Sequence, residues 1–326
     1  MKIKNNIVIV ICGPTACMKT STSIKLARVI NTTCKYNVEI INFDSLLFYK
    51  ELNIGTAKPT EIEMEGIRHH LINISSINNN FNSADFVKIA VPLINDLHQK
   101  KTIAILVGGS AFYLRALLKG MYSSTHADTN LLNFIQRKYQ AEGIEYFREE
   151  LKQKDSESFI NLHPNDHYRI LRAFEYFEVT KQKLSEQKKL FEENNPYDLG
   201  NTLHPSWNKY ICYLDIPKIL HQKIIKSRTE KMEQSGLVHE VKNLLAQGFS
   251  GEEKALQSIG YKETLDYLTG ILQTREDYLE RITISTRQLA KAQRTFFKKF
   301  ININSYNPIQ ESDQITRDIL DFIHLK

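Results

Sequence analysis

Two kinds of run alternate along the first two-thirds of this chain. Residues 7–12 (IVIVIC), 38–43 (VEIINF), 102–107 (TIAILV) and 210–214 (YICYL) are short, nearly continuous apolar stretches rich in β-branched and aromatic residues. Such runs predict strands covered on both faces. Between them Ile24, Leu26, Ala27, Val29 and Ile30 recur at the spacing of an amphipathic helix, and residues 111–118 (AFYLRALL) predict a second helix. Strands alternating with helices argue an α/β fold with a parallel, doubly wound sheet. From about Asp128 to Glu193 the strand runs disappear, and the sequence becomes helix-like, highly charged and studded with aromatics. The pattern predicts a helical insertion over 123–204, closed near Asn194, Asn195, Pro196 and Tyr197, between core segments 1–122 and 205–326. The last third is helical again: Ile225, Met232, Val238, Val241, Leu244 and Leu245 mark apolar faces, and Gly236 and Gly248 mark stops.

Composition narrows the class. With 326 residues, 42% hydrophobic and 25% charged, the chain is long enough to bury a sizeable core and has the balance of a globular protein. No apolar stretch reaches membrane-spanning length, and the apolar run after residues 1–6 ends in a Gly-Pro turn after only six residues, so neither a membrane span nor a secretory signal is expected. Cys12, Cys17, Cys34 and Cys212 have neither metal-site spacing nor the density of a disulfide framework, which fits a reducing cytoplasm. His69 and His70 have no partners at zinc-site spacing and read as structural. A net charge of +6 suits a polyanionic partner and equally a solvated lysine-rich surface.

Chemistry concentrates where strands end. After residues 7–12 come Gly13, Pro14, Thr15, Ala16, Cys17, Met18, Lys19 and Thr20, and then the first helix. A turn feeding a helix start presents unpaired N–H groups, the positive end of the helix dipole and here a lysine, which together attract phosphate; Thr20 is placed to ligate magnesium. The pattern G-x-x-x-x-G-K-[ST] is met except that Met18 stands at the second glycine. Asp44 and Ser45 close the second strand, leaving Asp44 open as proton acceptor, magnesium partner or helix cap. Residues 54–59 (IGTAKP) read as an ordered loop from which Lys58 reaches an anion. A second glycine turn, Gly108-Gly109-Ser110, feeds the second helix. In the insertion Arg169, Arg172, Lys181, Lys183, Lys188 and Lys189 are interleaved with Tyr168, Phe174, Tyr176 and Phe177, a mixture that serves either RNA contact or a helical core. Arg287, Lys291, Arg294, Lys298 and Lys299 recur near helical spacing beside Phe296 and Phe297, giving a basic stripe.

Together these residues resemble the tRNA dimethylallyltransferase family, the isopentenyl-diphosphate:tRNA isopentenyltransferases. The resemblance rests on the 13–20 loop, on D-S-x-Q-x-Y at Asp44 to Tyr49, and above all on I-G-T-A-K-P at Ile54 to Pro59. It is supported by His69-His70-Leu71, the Gly108 to Tyr113 turn, Arg169 to Glu175, the run Ile259-Gly260-Tyr261-Lys262-Glu263, and residues 286–291 (TRQLAK). It implies a P-loop NTPase-like core, a helical domain clamping the tRNA anticodon arm, and a monomer using Mg2+. The implied reaction moves a dimethylallyl group from its diphosphate to the exocyclic amine of the adenosine beside the anticodon. By resemblance Asp44 is the general base, and the 13–20 loop, including Lys19 and Thr20, holds the diphosphate. Ser110, where the family has threonine, and Arg228 add substrate contacts. Asp44, Ser45, Leu46, Leu47, Arg169, Arg172, Gly260, Tyr261, Lys262, Arg287, Lys291, Arg294 and Lys298 are the implied tRNA contacts. Leu47 replaces the family's glutamine and Ile224 a frequent basic residue. An enzyme for free adenine nucleotides and a catalytically impaired RNA-binding homologue remain the alternatives, with a generic P-loop kinase leaving residues 54–59 unexplained.

Overall fold

A computed structural model describes residues 4–34, 36–121 and 128–324. The chain divides into two compact units, Met1–Leu118 with Tyr197–Lys326, and Lys119–Pro196. In the first, six parallel strands form one sheet in the order β3-β2-β4-β1-β5-β6, namely β1 (Ile7–Cys12), β2 (Val38–Asn42), β3 (His69–His70), β4 (Ile103–Gly108), β5 (Asn208–Leu214) and β6 (Asn304–Tyr306). All six residues of β1 are buried, as its unbroken apolar run demands of a central strand flanked by β4 and β5. Short β3 and β6 left no apolar run in the sequence and occupy the sheet edges.

The helices of this unit are α1 (Lys19–Thr33), α2 (Glu61–Met64), α3 (Ser83–Gln99) and α4 (Ala111–Lys119) before the insertion. The insertion holds α5 (Thr129–Lys154), kinked at Gly143, α6 (Ser156–Asn161), α7 (His167–Thr180) and α8 (Leu184–Glu193). After it come α9 (Lys218–Gln234), α10 (Leu237–Ala246), α11 (Tyr261–Leu268), α12 (Arg275–Phe297) and α13 (Ser312–Ile323). One face of the sheet packs Val8, Val10, Ile41 and Leu106 against Phe86, Ile94 and Leu114 of α3 and α4. The other packs Ile9, Ile11, Ile40 and Ile105 against Ile24, Ala27 and Ile30 of α1 and Ile319 of α13. Alternate strand residues thus serve two helical layers, the doubly wound arrangement predicted from the pattern. A third cluster, Leu52, Leu237, Val241, Leu256, Tyr261 and Tyr278 among its members, ties α10–α12 to the segment after β2.

Residues 197–204, assigned to the insertion from the sequence, belong to the first unit. Leu199 and Trp207 are buried in its core, and the Leu203 N–H donates to the Leu118 carbonyl. Within the insertion, Phe147, Phe174 and Tyr176 form a small core while Tyr168 is 67% exposed, so most of the aromatics there serve packing. Among the described residues no helix is long and apolar enough to cross a membrane.

Candidate active site

The carboxyl ends of β1, β2 and β4 open onto a cleft of ≈ 790 Å³ lined by Thr15 to Thr20, Asp44, Leu47, Thr56, Gly108 and Arg228, among others. The loop from β1 to α1 winds through left-handed backbone at Ala16 (φ 60°) and Met18 (φ 58°), and α1 begins at Lys19 with no side-chain cap. Gly13 is required for another reason: a Cβ there would lie 2.3 Å from the Leu214 carbonyl oxygen of β5. Gly13 and Pro14 are buried and do not line the cleft, so the expected diphosphate contacts narrow to residues 15–20. The Lys19 ammonium donates to the Pro14 carbonyl at 2.6 Å, arching over its own loop.

Asp44 is fixed by its neighbours. Its N–H donates to Asn42 Oδ1 (2.8 Å), and the Asn42 amide donates back to the carbonyls of Asp44 (3.1 Å) and Leu71 (2.9 Å). The carboxylate accepts from the Leu46 N–H. Burial lowers the pKa of Lys19 and of Arg228, and the Asp44 carboxylate opposes that shift at both, so one acid and two bases share the cleft within electrostatic reach. Arg228, projecting from α9, donates to the Thr56 carbonyl at 3.3 Å. Ser110 Oγ accepts from the Ser45 N–H, joining the two strand ends. Burial pushes the Cys17 thiol up to about 11, leaving it protonated and no nucleophile at neutral pH.

Residues 47–300 match the IPP transferase family. The chain belongs to that family. A tRNA dimethylallyltransferase of Alkaliphilus oremlandii is 35% identical over 302 residues, covering 92% of this chain and 90% of its own. One from Caldanaerobacter subterraneus is 32% identical over 312 residues, covering 93% and 94%. Among solved structures, the tRNA isopentenylpyrophosphate transferase of Bacillus halodurans superposes with TM-score 0.68 at 28% identity, covering 98% of this chain and 97% of that one. A eukaryotic dimethylallyltransferase captured acting on tRNA gives 0.76 at 27% identity, covering 98% and 81%.

Against this IPP transferase fold the remaining sequence expectations sort cleanly. Leu47 lines the cleft, whereas Leu46 turns into the third apolar cluster. Gly260 and Tyr261 are buried, and the Tyr261 hydroxyl is committed to Glu240, so neither offers a side-chain surface to RNA; Lys262 is exposed. Lys58 does not reach out to an anion. Its ammonium donates to the Tyr49 carbonyl (2.8 Å) and to Asn73, and burial lowers its pKa to about 8. Arg287 and Lys291 of α12 and Lys298 and Lys299 just after it are exposed, but Arg294 turns inward to Asp215. Its helical neighbours Ala290 and Phe297 are buried, which places it on the packed stripe. In the insertion Arg169 and Arg172 are paired with Asp166 and Glu175.

Three residues that organise the site escaped the sequence reading. Gln293 bridges the two strand-end turns, accepting from the Thr15 N–H (2.8 Å) and donating to the Gly109 carbonyl (3.0 Å). His221 contacts the Thr15 carbonyl at 2.8 Å. Glu240 accepts from the N–H groups of Asn53, Ile54 and Gly55, fixing the start of the 54–59 loop. Each lies far along the chain from its partner, and no local spacing marks it.

Proposed function

We propose that this chain is a tRNA dimethylallyltransferase. It transfers the dimethylallyl group of dimethylallyl diphosphate to the exocyclic amine of the adenosine next to the anticodon and releases diphosphate. The observation that carries this reading is the convergence of Asp44, Lys19 and Arg228 on one cleft at the carboxyl edge of the sheet, in a chain of the IPP transferase family. Asp44 takes the proton from the amine as the nitrogen forms its bond to the allylic carbon; the carbon–oxygen bond breaks and its electron pair leaves with the diphosphate. Lys19, Arg228 and the loop N–H groups face the charge that develops on the leaving oxygen, and the start of α1 adds its dipole. Ser110 holds the Asp44 and Ser45 turn in place.

Magnesium fits this donor set as an ion carried in with the diphosphate. Among the described residues no three acidic, histidine or cysteine side chains form a cage, while the exposed Thr20 offers a hard oxygen in the first turn of α1. When bound it supplies neutralising charge to the leaving group. The exposed cations Arg287, Lys291 and Lys298, with the helical insertion, bind the anticodon arm; the protein works as a cytoplasmic monomer. Incubation with labelled dimethylallyl diphosphate, magnesium and unmodified tRNA, with adenosine monophosphate in parallel, tests the assignment. Label in tRNA alone is expected; label in the free nucleotide, or in neither, overturns it.

A further inference from the structure

His221 of α9 is buried at 2% exposure, and its ring is held at both nitrogens. Nδ1 lies 3.1 Å from Nη2 of Arg294 and Nε2 lies 2.8 Å from the Thr15 carbonyl oxygen. A guanidinium only donates, so Nδ1 is the acceptor and Nε2 carries the hydrogen that Thr15 accepts. Arg294 is itself held by the Asp215 carboxylate through Nε and Nη2, at 2.7 to 3.0 Å. An unbroken relay of matched donors and acceptors therefore runs from the end of β5 to the phosphate loop.

The relay has a geometric effect on the loop. The Thr15–Ala16 peptide is trans, so a carbonyl drawn toward His221 sends the Ala16 N–H the opposite way, and Ala16 is among the residues that line the cleft. Ala16 has φ 60°, a left-handed conformation costly for a residue with a Cβ and kept only where the surroundings impose it. We propose that His221 is a positioning residue for the donor, fixing the Thr15–Ala16 peptide so that the Ala16 N–H faces the diphosphate. The proposal rests on the reading of this loop as a diphosphate cradle.

Protonation of His221 would place a hydrogen on Nδ1 facing the guanidinium. Burial lowers its pKa below the ordinary imidazole value, and Arg294 and Lys19 act in the same direction against the opposing pull of the Thr15 carbonyl and Asp215. Cys17, whose sulfur lies 3.6 Å from Nε2, stays a neutral thiol throughout this range. The relay is thus unbroken at neutral pH and above; as pH falls below the ordinary histidine range Nε2–H still donates to Thr15, but the new Nδ1–H meets the guanidinium and breaks the Arg294 link that orients the ring.

The test is titration of the full-length protein with inorganic diphosphate and magnesium, from about pH 5 to about pH 8, across the imidazole range. His221→Leu removes the contact. His221→Gln returns an amide N–H to the position of Nε2 without a titrating ring. At the alkaline end His221→Leu is expected to bind about tenfold more weakly, a ~1.4 kcal/mol loss, with His221→Gln close to wild type. Toward acid, wild-type affinity should fall more steeply than that of His221→Gln, diphosphate protonation being common to both. Equal affinities for wild type and His221→Leu, or equal acid slopes for wild type and His221→Gln, overturn the proposal. If His221→Leu does not fold, the wild-type and glutamine slopes decide alone. Absence of diphosphate binding by the wild type would instead remove the cradle reading, and this proposal with it.

Discussion

Tyr261 donates its hydroxyl to Glu240 at 2.6 Å, directly beneath the glycine of the 54–59 loop. Burial, reinforced by the Glu240 charge, raises the phenol pKa, so the donor is always present. The same carboxylate takes the N–H groups of Asn53, Ile54 and Gly55, and a Cβ on Gly55 would sit 2.4 Å from the Tyr261 ring. Glycine is needed there because an aromatic ring occupies the space. Gly55→Ala is expected to lose ~1–3 kcal/mol through overpacking, and Tyr261→Phe about 1–2 kcal/mol through the lost hydrogen bond. Because Thr56 supplies the carbonyl that receives Arg228, both variants should also lower kcat. Denaturant midpoints matching the wild type would show that the loop is held by other means.

Asp44 is set by Asn42 on one side and faces Lys19 and Arg228 on the other, so Asp44→Asn keeps the shape while removing the base. Single-turnover transfer should slow by ~10²–10⁴-fold, with much smaller changes in substrate affinity. Asn42→Ala should act in the same direction but more weakly, by letting the Asp44 turn move. Wild-type single-turnover rates in Asp44→Asn would assign the proton to another acceptor.

The helical insertion has its own pH-sensitive anchor in Asp155, which is 1% exposed. Its carboxylate accepts from the N–H and hydroxyl of Ser158 and from those of Ser185, starting α6 and tying down α8. Burial alone would raise its pKa, but these four bonds outweigh burial and lower it. A folded pKa below the unfolded one gives stability that is whole above the ordinary carboxylate range and is lost as pH falls through the folded value. Asp155→Ala should cost about 2–4 kcal/mol by stranding those donors and should flatten the acid limb of the insertion's unfolding curve. An unaltered acid limb would place the sensitivity elsewhere.

What the sequence disclosed and what it withheld divide along physical lines. Buried central strands announce themselves because both faces of residues 7–12 and 103–107 must be apolar, and the loop after residue 12 is legible because its chemistry is contiguous. The edge strands at His69 and Asn304 were invisible, since two- or three-residue strands carry no period. Arg294 read as one member of a basic stripe because helical spacing reports a face but not what packs against it; Asp215, 79 residues earlier, decides the matter. Lys58 likewise looked available until Tyr49 and Asn73 were brought to it by the fold. His221, Glu240 and Gln293 act across more than 180 residues on one to three backbone groups each, a relationship that no local pattern encodes.

The exposed cations of α12 make a separable prediction. Neutralising Arg287 and Lys291 together should weaken tRNA binding and reduce the slope of log affinity against log salt by roughly one to two, because each phosphate contact releases counterions. Arg294→Gln should behave differently, since its charge is spent on Asp215. It should perturb diphosphate binding while leaving the salt slope of tRNA binding near wild type. An unchanged slope in the Arg287 and Lys291 double variant would return these residues to the solvated surface.

Met18 gives the last prediction. It occupies the position just before α1 in left-handed backbone, φ 58° and ψ 23°, makes no side-chain cap, and stands 43% exposed on the cleft wall. A non-glycine residue in this conformation costs ~1 kcal/mol or more, yet the loop keeps the geometry that presents Lys19 and the helix start. Met18→Gly removes both the strain and the side chain, although glycine's larger unfolded-state entropy returns ~0.5–1 kcal/mol of the stability gained. Its net effect on folding should therefore be small, while diphosphate binding tightens by up to tenfold, or ~1.4 kcal/mol. Met18→Asn separates the two causes, because asparagine tolerates left-handed backbone but keeps a side chain at the cleft. Tightening in the glycine variant alone would assign the effect to space beside the diphosphate; equal tightening in both would assign it to backbone strain. Binding unchanged in both would mean that the diphosphate sits clear of residue 18 and that methionine is accommodated here without cost to the donor.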